Sequence, residues 1–189
     1  MLTVNDLFKR LSYSYFSNLS LGSEGTGAIR QSDTDKVITA LNESLRRIYS
    51  RFALSEKQLM IEQYGHITNY HLDKRFAMYN PDRLTQHPPY ILDLPNEQFN
   101  NDAIKIIGVY DEFGNQRGLN DEYNPYSYFT PSPTVLQVPN PRSEEPLSVH
   151  YQAAHPVLQY GVKEAEVIVP STLEDALLAR TAYNIYTAM

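Results

Sequence analysis

DTDKVITALNESLRRIYSRFALSEKQLMIEQY, residues 33–64, changes its hydrophobic period part-way along, and the fold class turns on that change. Val37, Ile38, Leu41, Leu45, Ile48, Tyr49 and Phe52 recur at three- and four-residue spacing. That spacing gathers them on one face of a helix of about five turns. Asp35, Lys36, Glu43, Arg46, Arg47 and Arg51 fall on the other face, where charge is ordinarily solvated. Ser32 or Asp33 supplies the N-cap. From Lys57 the period shifts toward two, and KQLMIEQY (57–64) and HITNYHL (66–72) read as strands joined at Gly65.

Upstream, Thr3-Val4-Asn5-Asp6 signals an earlier N-cap, followed by Val4, Leu7, Phe8, Leu11, Tyr15 and Leu19 at helical spacing. LGSEGTG (21–27) then makes a glycine-rich loop. Downstream, all 12 prolines lie beyond residue 80, so the middle of the chain is cut into short segments. AIKIIGVYDEFGNQRGL (103–119) is a strand running into a turn at Phe113-Gly114-Asn115, and DEYNPYSYFTPSP (121–133) is an aromatic, proline-rich loop. TVLQV (134–138) and LSVHYQA (147–153) are further short strands, and EVIV (166–169) is a last apolar run. Pro170 and the capping box Ser171-Thr172-Leu173-Glu174 open a final helix bearing Leu173, Ala176, Leu177, Tyr183 and Tyr186. It runs to the end of the sequence without a C-cap, which leaves it frayed or held by a partner. The expected fold is α+β. A small helical bundle of two N-terminal helices and the C-terminal helix (1–55 and 171–189) carries a large β-rich insertion (56–170).

Composition narrows the chemistry. The 189 residues contain no cysteine, which excludes thiol nucleophiles, disulfides and cysteine-ligated metals. No apolar stretch approaches the ~20 residues of a membrane span, and MLTVNDLFKR does not read as a signal peptide. Residues 1–60 carry 8 basic and 6 acidic side chains, whereas residues 61–189 carry 8 and 16. An acidic body repels phosphate, which argues against tight nucleic-acid binding across the main surface. Arg46, Arg47 and Arg51 allow at most incidental contact with DNA. The 15 tyrosines suit either protein interfaces or an ordinary β core, and composition does not choose between them.

Reactive constellations are not apparent. His66 and His71 are five apart, as are His150 and His155, a spacing that suits metal ligation on neither strand nor helix; His87 stands alone. There is no nucleophile elbow, dinucleotide fingerprint or phosphate loop, and GSEGTG lacks the preceding strand and the lysine. Asp111-Glu112 and Asp121-Glu122 have oxygens for a divalent cation, but acidic pairs in turns are ordinarily solvated. Neither catalytic residue nor metal nor cofactor is expected.

The chain resembles the head-to-tail adaptor proteins of tailed bacteriophages, also called head-completion or connector proteins. The likeness rests on TVNDLF (3–8), DKVITALNESLRRIYSRFALSEKQLMIEQ (35–63), ITNYHL (67–72) and DAIKIIGVYDEFGNQRGLND (102–121). It extends to LSVHYQAAHPVL (147–158) and VIVPSTLEDALLARTAYNIY (167–186). These are patterns of element and residue class spread over nearly the whole chain. The resemblance implies a non-enzymatic virion protein at the head–tail junction, assembled in the host cytoplasm without a membrane partner. It implies a ring, commonly a dodecamer, beneath the portal protein, which extends the DNA channel and gives tail, nozzle or fibre proteins a platform. Carried over, helices 33–53 and 171–188 become walls between subunits, and the terminal helix with Tyr183 and Tyr186 docks on the portal. The loop with Tyr123, Tyr126, Tyr128 and Phe129 faces a neighbour or a tail protein. Two other readings stand beside this one: a tail-tube or tail-completion protein of the same particle, and a carbohydrate-binding or hydrolytic module on the β-rich insertion.

Overall fold

In the computed structural model, which describes residues 2–17, 29–84, 86–143 and 145–188, the first helix begins where the Thr3 side chain caps it. Helix α1 (Val4–Ser14) opens with a reciprocal box in which the Asp6 amide donates to Thr3 Oγ1 and the Thr3 amide donates to Asp6 Oδ2. Two more of its orphan amides are met by backbone: Val4 N–H donates to the Ala165 carbonyl and Asn5 N–H to the Lys163 carbonyl, each at 3.0 Å. Leu19 and the glycine-rich loop 21–27 lie outside the described residues.

Helix α2 (Thr34–Arg51) carries the apolar stripe expected of it, with Val37, Ile38, Leu41, Leu45, Ile48 and Tyr49 buried. Phe52 departs from the stripe: it caps the helix in extended backbone and is 45% exposed. Helix α3 (Ser171–Thr187) packs against α2 and α1. Its expected capping box does not form. Pro170 is the N-cap, no side chain bonds the first turn, and Glu174 instead pairs with Arg10 of α1. A charged partner on the neighbouring helix takes the carboxylate that the local motif would have used.

Among the described residues seven strands form two antiparallel sheets. β1 (Glu56–Glu62), β3 (Ile91–Leu92), β4 (Ala103–Tyr110) and β7 (Pro146–Ala153) make one, in the order β3-β1-β7-β4. β2 (Asn69–His71), β5 (Phe129–Ser132) and β6 (Val135–Gln137) make the other, in the order β2-β6-β5. The two strands either side of Gly65 therefore belong to different sheets. Side chains of both sheets meet in one core that includes Ile61, Tyr70, Tyr90, Ile91, Val109, Leu136 and Val149. The turn after β4 is as tight as expected: Gly114 adopts φ 81°, open to glycine at no steric cost, and Asp111 N–H donates to the Asn115 carbonyl.

The chain divides into two compact units, Met1–Phe52 with His155–Met189, and Ala53–Ala154. The helical unit thus claims residues 155–170, in place of the expected β-rich insertion over 56–170. Backbone and side-chain bonds hold this arm to the helices. Asn42 grips Leu158 at both ends, its Nδ2 donating to the carbonyl at 3.0 Å and its Oδ1 accepting the amide at 2.9 Å. Val167 N–H donates to the Leu2 carbonyl at 2.8 Å. Ile168 is clamped as well: its amide donates to His155 Nε2 at 3.1 Å, and its carbonyl accepts from the Tyr49 hydroxyl. The imidazole stands edge-on to the Tyr49 ring, 5.4 Å between centroids. EVIV is accordingly not a strand of either sheet.

His155 must be neutral to accept the Ile168 amide, which leaves Nδ1 to donate to the Pro156 carbonyl. Burial pushes the imidazole below its ordinary value, against the opposing pulls of the Pro156 carbonyl and the Glu166 charge. A base harder to protonate when folded contributes stability above the unfolded value of about 6.5, and that stability is lost as pH falls below it. Urea unfolding of the wild type is expected to shift to lower midpoints between about pH 7.5 and 5.5. His155→Gln should flatten that dependence; an equal pH slope in the variant would contradict it.

Candidate interaction surface

Helix α3 buries one face and leaves a mixed face open, where Ala176, Ala179 and Tyr183 stand among Thr172, Asp175 and Thr187. Leu177, Leu178, Thr181, Ala182 and Ile185 are buried, while Ala176, Ala179 and Tyr183 stand exposed. Here one face is used and the other is open. Tyr183 is 56% exposed, and the Arg180 guanidinium lies over its ring at 4.9 Å. Tyr186 is different: its hydroxyl donates to the Tyr15 carbonyl at 2.7 Å, and its ring meets that of Phe16 at 6.4 Å. Thus Tyr183 is available to a partner, and Tyr186 is half engaged within its own unit. The last turns of the helix are core, because they hold Thr181, Ala182 and Ile185, and do not form a detachable tail.

The aromatic loop also splits. Tyr123 is 97% and Tyr126 77% exposed, whereas Tyr128 packs on the β core and Phe129, half-buried, opens β5. The cause is backbone pairing: Tyr128 N–H donates to the Gly118 carbonyl, and Asn120 N–H donates to the Tyr128 carbonyl. Between these anchors, Asp121 and Asn124 side chains accept the amides of Tyr123 and Tyr126, fixing two successive turns that hold the rings outward. Desolvation raises the Tyr128 hydroxyl above its ordinary range, in keeping with its packed position.

On α2, Arg46, Arg47 and Arg51 are exposed and form no ion pair among the described residues. Sequence reasoning passed over several other exposed apolar side chains. Tyr13 lies on α1, Phe113 at the turn tip, and Val157, Tyr160 and Ile168 on the arm. Tyr13 sits off the apolar stripe of its helix, a signal that was readable. The arm has no periodicity from which its outward residues could be picked out.

Chemical features of the β unit are occupied internally. A hollow of about 550 Å³ is lined in part by Lys57, Asp102 and Tyr151. Asp102 accepts from Lys57 Nζ at 2.6 Å and from the Tyr151 hydroxyl at 3.0 Å, so both carboxylate oxygens are engaged. Desolvation, reinforced by Asp102, raises the Tyr151 hydroxyl, which holds its proton more tightly instead of yielding a nucleophile. Desolvation also acts on Asp111, but the amides of Asn115 and Phe113 and the Arg117 charge outweigh it and hold the carboxyl below its usual range. Asp111 is thereby the anchor of its own turn. Among the described residues no three His, Asp or Glu side chains gather as metal ligands, and no helix is long and apolar enough to cross a membrane.

No protein-family model matches the chain, and no curated protein matches it in sequence.

The two terminal tyrosines should separate on mutation. Tyr183→Ser is expected to move unfolding stability by no more than about 0.5 kcal/mol, as for an open surface site. Tyr186→Phe, which removes the donor to Tyr15, should cost about 0.5–1.5 kcal/mol. Urea denaturation followed by circular dichroism measures both, and equal losses would mean that Tyr183 is packed in the isolated chain.

Proposed function

We propose that the protein is a structural virion subunit. In this reading copies of the chain form an adaptor ring between the portal and the tail, extend the DNA channel and offer a platform to tail proteins. The observation that carries the reading is the exposed aromatic ring of Tyr183, flanked by Ala176 and Ala179, on a helix whose other face is already packed. Polypeptide is the natural cover for such a face, since aromatic side chains at the centre of an interface supply most of its energy. The outward rings of Tyr123 and Tyr126 add a second contact region, held in place by turns whose hydrogen bonds are local. Rings close when each copy presents two different complementary patches, and these two lie on different units. The resemblance in sequence to phage adaptor proteins supplies the partners, and the net charge of −6 suits a conduit through which DNA must slide without being gripped.

Incubating the purified protein with the portal ring of the same particle and imaging by negative stain tests this directly. A second ring of density stacked on the portal is expected, with occupancy reduced by Tyr183→Ser although the fold persists. Portals left bare at saturating protein would overturn the reading.

A further inference from the structure

The two units differ sharply in charge. Residues 53–154 carry 7 basic and 13 acidic side chains, whereas the helical unit, 1–52 with 155–189, carries 9 of each. Within the helical unit the positive charge is concentrated. Arg47 and Arg51 lie one turn apart on α2, Arg46 lies on the adjacent ridge, and all three are exposed without an ion pair among the described residues. They also crowd the C-terminal end of the helix, whose dipole favours cations, so nothing within α2 itself calls for neutralising them. The β unit holds the opposite arrangement. Glu112, Asp121 and Glu122 are exposed and form no ion pair among the described residues. Each of the two turns that bear them also presents an aromatic ring, Phe113 at 80% exposure and Tyr123 at 97%.

We infer that the arginine face of α2 docks onto the acidic, aromatic turns at 112–123 of a second copy of this chain. The contact deepens the ring reading and rests on it. A guanidinium is suited to both features of the opposing surface, since it pairs with a carboxylate in a fork and stacks on an aromatic face. Phosphodiester backbone is the other ligand that arginines select. Three arginines on a chain of net charge −6 make a poor phosphate surface, whereas the β unit supplies carboxylates in excess for every copy of the arginine face. In the ring reading each copy gives its arginine face to one neighbour and its acidic turns to the other, a head-to-tail contact.

The test is self-association of the full chain by sedimentation velocity, alone and on the portal, across a range of ionic strength. Arg46→Gln, Arg47→Gln and Arg51→Gln together should weaken copy–copy association by roughly tenfold or more, and salt should weaken the wild type in the same direction. The neutral substitutions avoid placing carboxylates at the helix C-terminus, so thermal melts should match the wild type. In the charge-swap arm, Arg47→Glu with Arg51→Glu should fail to associate alone, and should recover when mixed with Glu112→Lys/Glu122→Lys, which leaves the turn-forming Asp121 in place. Unchanged association in the Gln variant, or no recovery on mixing, would overturn the inference while leaving ring formation itself intact. A variant that loses affinity for duplex DNA but keeps copy–copy association would assign the face to phosphate and overturn it equally. Absence of any association by the wild type, with bare portals, would remove both this contact and the ring.

Discussion

One packing constraint governs the helical unit: α3 buries one face against α2 and α1 and thereby turns Ala176, Ala179 and Tyr183 outward. Leu177, Leu178 and Ile185 point into the unit, and each buried side chain of this size is worth about 1.5–3 kcal/mol to a fold whose total margin is about 5–15 kcal/mol. The same helix is anchored by polar links that set its rotation. Glu174 pairs with Arg10 near its start, Asn184 donates to Ser44 of α2 at 3.3 Å, and Tyr186 reaches Tyr15. With rotation set in this way, Tyr183 cannot turn inward. The exposed face is thus a consequence of the buried one, and it is the face that the proposed contact would cover.

The arm at 155–170 is the second device on which the helical unit relies. It has two prolines at its ends, no hydrophobic period and no regular structure, yet it supplies acceptors for the first amides of α1 and a polar mate for Asn42. Tyr49 and His155 then hold Ile168 from both sides, which connects the arm to the buried face of α2. Because that imidazole is buried and neutral, the unit's stability falls as the pH drops.

Much of this was legible from residue pattern, and the failures have physical causes. The α2 stripe, strands β1, β4 and β7 and the α+β class follow from periods of 3.6 and 2, which report burial directly. The two capping boxes are the instructive pair. Thr3 and Asp6 form theirs, whereas the equally well-spelled Ser171 and Glu174 do not, because Arg10 competes from 164 residues away. Domain boundaries failed for the same reason: what binds the arm is backbone bonding between distant segments, which leaves no mark on composition. Among the candidate contact residues, Tyr123, Tyr126, Tyr183 and the three arginines are exposed as a contact role requires. Tyr128 and Phe129 were drawn toward the β unit by pairing that a proline-rich stretch does not advertise.

Hydroxyl-radical footprinting of Tyr183 reads the central claim most directly, because it reports the open face of α3 before and after assembly. The account predicts rapid modification of Tyr183 in the dilute single chain and strong protection in the portal-bound assembly, with the buried Tyr49 protected in both. Modification of Tyr183 at the same rate in both states would mean that no polypeptide covers this face, and would contradict the account.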